Sequence, residues 1–291
     1  MAKDQTKKRR KKVSRFAMTW HQLKKNKLAM VCLAVLICII LVAVFAKYIA
    51  PYSYEVADKS RALEGPSKDH LLGTDRMGRD LLSRLIYGTQ QSLSMGIFAI
   101  FISAMIGILL GSIAGYFGGW VDNLIMRLLD IYQSIPMMLL CITFAAVLGP
   151  SLRNAIIAIG ISMVPGFARM MRASILTVRD NEYIDAARMC NSTNRQIILT
   201  HIIPNAISPL IVNITMSIGG AVLSGAGLSF IGLGVQSPVA EWGAMISDGR
   251  NFMRTNPTLA LYPGLCIMIT VLAFNLLGDG LRDALDPRLK N

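Results

Sequence analysis

The sequence predicts an all-helical membrane protein with six spans, and three observations carry that prediction. Hydrophobic residues make up 53% of the 291 and charged ones only 16%. The mean hydropathy is +0.49, well above that of a soluble domain. The stretch LAMVCLAVLICIILVAVFA, Leu28–Ala46, runs nineteen residues without a charge, which at about 1.5 Å per residue nearly matches a hydrocarbon core of about 30 Å.

Residues 1–27 form a basic tail with eleven Lys/Arg against one Asp, a net +10 of the chain's +13. Because retained basic segments stay inside, the N-terminus is expected in the cytoplasm, and an even number of spans puts the C-terminus there too. The tail directly precedes a span and has little aromatic interleaving, so it reads as a topology signal and an anionic-lipid contact, and nucleic acid is not expected as a partner. The run at 28–46 exceeds the apolar core of a signal peptide and no A-x-A-like site follows it promptly, so it reads as an uncleaved anchor.

An outer loop is expected at 47–92, then a five-helix core at 93–280 with spans near 93–115, 130–149, 154–168, 206–228 and 258–278, and a short tail at 281–291. Within the loop, Leu81, Leu82, Leu85 and Ile86 make an amphipathic segment ending at Gly88, while Arg79, Asp80 and Arg84 read as a surface ion pair. The fourth span is the weakest, being short and interrupted by Val164-Pro165-Gly166, and it is expected to run on as helix into the charged segment after it.

The span cores contain almost no ionisable residue; Asp130 stands at an edge, and Thr143, Asn213, Thr215, Thr270 and Asn275 supply polarity without charge. A carrier driven by ion coupling normally buries a carboxylate in the membrane, so energy is expected from outside the chain. The second span sets Ser103, Gly107, Gly111 and Gly115 at four-residue intervals, a ladder that lets helix backbones approach closely. The fifth is rich in small residues, among them Ser217, Gly220 and Ser224. These positions, with Asn213, are the candidates for helix packing and a translocation path.

No catalytic site is expected. His21, His70 and His201 are isolated and read as surface or interfacial residues. The five cysteines form no C-x-x-C pair, so neither a metal site nor a disulfide framework is indicated. The seventeen Met are scattered and read as packing. No Gly-Lys pair occurs anywhere, which excludes a phosphate-cradling nucleotide loop.

The remaining feature is a charged, helix-forming insert between two apolar spans, Arg169 to Asn205. Its five Arg against three acids up to His201 fit a cytoplasmic position. Tyr183, Ala186, Ala187 and Cys190 recur at helical spacing, with Glu182 and Asp185 on another face. Asp180 or Asn181 is placed to cap the start, and Asp185 pairs with Arg188. Asn191 suits the left-handed residue that ends a helix. Thr193 with Gln196 fits a capping box for a second helix, whose apolar side is Ile197, Ile198 and Ile202, before Pro204. A capped elbow with a shallow Tyr-Ala-Ala-Cys face is suited to docking in another protein's groove, and resting on the membrane surface is the alternative.

Glu182-Tyr183-Ile184-Asp185-Ala186-Ala187-Arg188, the turn at Asn191 and Ile203-Pro204-Asn205 resemble the EAA loop of ABC-importer permeases, with Asp185 where Glu is usual and Asn191 where Gly is usual. Gly73-Thr74-Asp75, Gly78-Arg79-Asp80, Ser83-Arg84 and Gly88 resemble the sequence before the second span in permeases of the dipeptide, oligopeptide and nickel importers. Gly227–Arg250 and Gly278–Arg288 are similar to further segments of that family's second, C-type permease. The resemblance implies a type I importer permease without a cofactor of its own, set in a bacterial inner membrane. It implies pairing with a second permease, two cytoplasmic subunits that bind ATP–Mg, and an extracytoplasmic solute-binding protein. It also makes 169–205 a cytoplasmic coupling loop, with the motif itself at 182–205. A passive channel or ion-coupled carrier without an ATPase is the rival expectation.

Overall fold

The computed structural model describes residues 15–285, with side chains from residue 19 onward. Most of the basic tail and the end of the C-terminal tail lie outside the described residues. Helices make up most of the described residues, apart from a loop at 50–80, and the described residues contain no strand, only an isolated bridge between Thr74 and Asp80.

Helix α1, Arg15–Leu23, leads to Asn26, whose side-chain oxygen accepts from the Ala29 N–H at 3.1 Å and so starts α2, Lys27–Val44. Ala29, Cys32, Leu36 and Ala43 form the single buried stripe of α2, which leaves the rest of its apolar surface for lipid. A short α3, Ala46–Ile49, follows it. Helix α4, Leu81–Phe117, has 37 residues, about 55 Å at the usual rise and longer than a hydrocarbon core. It begins twelve residues before the expected span, because Asp80 caps it and because its first turns lie buried under folded loop. It does not stop at Gly88: a side chain there would stand 2.9 Å from the Trp242 indole, so the glycine admits a close-packed ring.

The third span is bent. Helices α5, Gly119–Gln133, and α6, Met137–Leu148, meet at 82° across Ser134-Ile135-Pro136. Proline cannot continue the hydrogen-bond ladder and disfavours helix in the residue before it. Among the described residues five other helices are long and apolar enough to cross a membrane, and the bent pair, taken as one broken span, makes six. Helix α7, Leu152–Leu176, is continuous through Pro165, so Val164-Pro165-Gly166 does not interrupt it. Helix α8, Glu182–Met189, and the short α9, Asn194–Gln196, and α10, Ile203–Ala206, form the elbow. Helices α11, Ser208–Phe230, α12, Trp242–Gly249, and α13, Thr258–Leu285, complete the fold.

The centre of the molecule is the contact between α4 and α7, and the small-residue ladder makes it possible. The Ser103 hydroxyl donates to the Gly160 carbonyl. A side chain on Gly107 would stand 2.9 Å from the Ala168 nitrogen, one on Gly111 would overlap the Ala168 carbonyl oxygen, and one on Gly115 would stand 3.0 Å from Ile175. These four positions therefore serve packing within the chain. Helix α11 lies between α4 and α13, and Gly280 of α13 lies directly against Ala29 of α2.

At the start of α4 the loops form a closed layer whose charges are buried, contrary to the surface pairing expected of Arg79, Asp80 and Arg84. Asp75 accepts from Arg79 Nε at 2.7 Å and lies 3.4 Å from Arg84 Nε, while Asp248 of α12 reaches Arg76 at 2.9 Å and Arg79 at 3.6 Å. Arg84 also donates to the carbonyls of Tyr54 and Pro238. Asp80 takes the Ser83 N–H at 2.7 Å and contacts His70 Nδ1 at 2.9 Å, so His70 is a buried partner and not an isolated surface residue. Glu241 caps α12 through the N–H groups of Gly243 and Ala244, and accepts from Ser92 at 3.0 Å. The layer fastens the 50–80 loop to the segment between α11 and α13.

Candidate functional site

The elbow sits at the other end of α4 and is anchored from within. Ile184, Ile197 and Ile202 are fully buried against Met171 and Ile175 of α7, with Tyr116 at the end of α4 in the same cluster. Glu182, Tyr183, Asp185, Ala186, Arg188, Met189 and Cys190 are exposed and Ala187 is half-buried. The inward residue of α8 is thus Ile184, which the Tyr-Ala-Ala-Cys stripe did not include. Burying one large aliphatic side chain leaves the shallow stripe facing outward.

The turn after α8 takes the left-handed geometry expected of Asn191, at φ 59°. The Ser192 N–H reaches the Ala187 carbonyl at 3.2 Å and the Asn191 N–H the Arg188 carbonyl at 3.0 Å, the paired bonds of a Schellman stop. Thr193 then accepts from the Gln196 N–H at 3.3 Å to start the second arm. Asn181 stands at the cap position of α8 but does not cap it: its amide turns back and donates to the Val178 carbonyl at 2.8 Å, serving the preceding turn.

The second arm is wider than an α-helix. Residues Ile197–Ile202 form a π-helix, and the Ile203 N–H bonds to the Ile198 carbonyl, five residues back. Pro204 has no N–H to offer the Thr200 carbonyl, so the ladder there loses a bond and the widened turn takes it up. The π turn also leaves Ile197 and Ile202 both facing the core.

Polar braces hold the elbow to the long helices. The Tyr116 hydroxyl bonds to Asn194 at 2.7 Å, the Arg188 guanidinium lies 6.0 Å from the Tyr116 ring centroid, and Arg179 donates to the Gly115 carbonyl at 2.9 Å. Arg172 pairs with Asp122 at 2.5 Å and Arg169 with Asp130 at 2.8 Å, tying α7 to α5. The Arg188–Asp185 pair at 2.9 Å is exposed and contributes little to stability. A displacement of α8 therefore has rigid connections into α4 and α7, whose mutual packing has no slack.

Of the remaining candidates, Asn213 and Ser217 line a hollow near the bend of the third span, and Gly220 has nothing within 4 Å of where its side chain would be. Ser224 is half-buried on the same face of α11.

The fold defines a class: a multi-pass helical subunit that buries a charged loop layer at one end, braces an elbow against its central helices at the other and leaves that elbow's outer face open. Residues 107–291 match the binding-protein-dependent transport system inner membrane component family, and residues 14–66 the N-terminal TM domain of oligopeptide transport permease C. A dipeptide transport system permease protein, DppC, from Alkalihalophilus pseudofirmus is 47% identical over 96% of this chain and 92% of its own length. A glutathione transport system permease protein, GsiD, from Escherichia coli is 46% identical over 93% and 90%. Among solved structures, an inward-facing MetNI methionine ABC transporter has a TM-score of 0.58 at 21% identity, covering 71% of this chain and 98% of that one; this similarity is one of fold.

The chain belongs to the binding-protein-dependent transport system inner membrane components, the permeases of ABC importers, in the C-type branch related to peptide permeases. Like its relatives it is a transport subunit, not an enzyme.

Proposed function

We propose that this chain is the second permease of an ATP-driven peptide importer, and that ATP-dependent closure of two partner subunits enters it through the elbow at 182–205. The relatives named for dipeptide and for glutathione transport support a peptide cargo. Pairing with a second permease, delivery by an extracytoplasmic solute-binding protein and location in a bacterial inner membrane with both termini cytoplasmic belong to the same reading. ATP–Mg stays in the partners.

One observation carries the coupling: α8 is fixed by the fully buried Ile184 while Tyr183, Ala186, Arg188 and Cys190 remain uncovered. A loop resting on lipid would turn its large aliphatic residue outward, whereas a docking helix keeps it as an anchor. Moving α8 then biases one of two packings of the attached spans.

Asn191 supplies the test. Left-handed geometry costs roughly 1–2 kcal/mol for a residue with a side chain and more for a β-branched one, but not for glycine. In the reconstituted assembly, Asn191→Gly should import like the wild type. Asn191→Ile should hydrolyse ATP with several-fold less solute imported per ATP. Equal coupling in both variants would remove the elbow from the mechanism.

A further inference from the structure

We propose that Gln133, Asn213 and Ser217, with the hydroxyl of Tyr132, form a contact site for amide groups of the transported solute; the Ser162 hydroxyl at the same wall is already committed to the Ala158 carbonyl at 2.7 Å. This deepens the importer reading and rests on it.

The 82° bend between α5 and α6 leaves a hollow of about 310 Å³ where the third span turns away from α7 and α11. Gly166 keeps its wall open, since nothing lies within 4 Å of where its side chain would be. The side chains of Gln133, Asn213 and Ser217 line it and find no hydrogen-bond partner among the described residues. The Tyr132 hydroxyl is buried there beside Ser162, without a hydrogen bond of good geometry among the described residues. Polar groups left unpaired at membrane depth are costly and persist where they face water or a polar ligand.

The arrangement continues along α11. Asn213, Ser217, Gly220 and Ser224 recur at i, i+4, i+7 and i+11, one face of the helix. Asn213 also lines a larger groove of about 640 Å³ that runs past Ser208 to Arg282 near the end of α13. The hollow is thus a station on a polar track leading toward the elbow end of the molecule.

Its chemistry selects the occupant. No Asp, Glu, Lys, Arg or His lines the hollow, so neither an anion nor a cation finds a counter-charge. The described residues contain no group of three His, Cys, Asp or Glu able to hold a metal ion, and a bare divalent cation would need such ligands. Carboxamides and hydroxyls both donate and accept, which is what a peptide bond requires. The site takes the uncharged, amide-bearing part of a peptide.

The test uses the complete importer in proteoliposomes, with labelled trialanine, reduced glutathione and Ni²⁺ as probes. Asn213→Leu and Gln133→Leu should lower peptide import per assembled complex at least tenfold, Asn213→Gln should restore most of it, and Thr215→Val should match the wild type because that hydroxyl is already bonded to the Ile211 carbonyl at 3.0 Å. In Asn213→Cys, labelling of the introduced thiol, located by mass spectrometry, should slow at least threefold during peptide turnover. This measurement decides the matter should the leucine variants fail to assemble. Undiminished peptide import by both leucine variants overturns the site. So does an introduced thiol that never reacts, which would mean that a neighbouring permease covers it. Import of Ni²⁺ but no peptide overturns the amide assignment together with the peptide cargo, and leaves only ATP-driven import through this permease standing. A wild-type assembly that imports none of the three overturns that reading itself.

Discussion

Asp75→Ala is expected to lower the stability of the folded permease by about 3–5 kcal/mol, the usual cost of stranding a buried charge. Asp75 accepts from the side chain of Arg79 and from the N–H groups of Met77 and Arg79, and it faces Arg84 at 3.4 Å. The side chains of Arg79 and Arg84 are only 4% and 3% exposed, so neither guanidinium can recover its hydration without opening the loop layer. Asp75→Asn should fall between, retaining acceptor geometry for the backbone bonds but losing the charge. Arg84→Lys should also be damaging, because a single ammonium cannot reproduce the fork that meets Asp75 and two carbonyls from opposite sides. Thermal inactivation of the detergent-purified chain reads these effects, and an Asp75→Ala protein as long-lived as the wild type would show that the layer is not held by its charges.

Gly111→Leu should prevent α4 and α7 from packing and abolish accumulation of the protein in the membrane. Even the first carbon of the new side chain would occupy the space of the Ala168 carbonyl oxygen and approach Met171 Cβ to 2.8 Å. Overpacking against movable side chains costs about 1–3 kcal/mol, and here the obstacle is backbone that cannot rotate away. Gly264→Ala is the matched control, since nothing lies within 4 Å of that position, and it should be neutral or gain up to about 1 kcal/mol of helix propensity. Similar levels of both proteins would mean that the two helices are not in close contact.

How far the sequence speaks for the structure depends on whether the controlling interaction is local. The stop at Asn191 was readable because left-handed geometry and the bonds that go with it are settled within six residues. The four-residue ladder from Ser103 to Gly115 was readable as a close-contact face, though not its partner. Ile184 was missed as the anchor because it lies off the Ala-Ala stripe, and only the position of α7 shows which side faces inward. The bend of the third span had a local sign in Pro136, but an apolar run of ordinary span length concealed it. Pro165 carried the same sign without the break, since α7 is held straight on α4. The charges of the 70–84 segment were misjudged for another reason. They pair largely with one another, but the layer that buries them is closed by Asp248 and Pro238, more than 150 residues away, so the sequence shows the pairs and not their burial. Nothing near Gln133 in the chain marks it, and it comes to line the same hollow as Asn213 only through the fold.

The central claim is that force from ATP enters through the open face of the elbow, and the native thiol of Cys190 reports on it directly. Cys190 is exposed and follows immediately on α8. Its rate of labelling by a water-soluble maleimide should be high in the isolated permease pair and should fall at least tenfold when the ATP-binding subunits assemble. It should change again between nucleotide-free and ATP-trapped states. Labelling at one unchanged rate in all of these states would contradict the account.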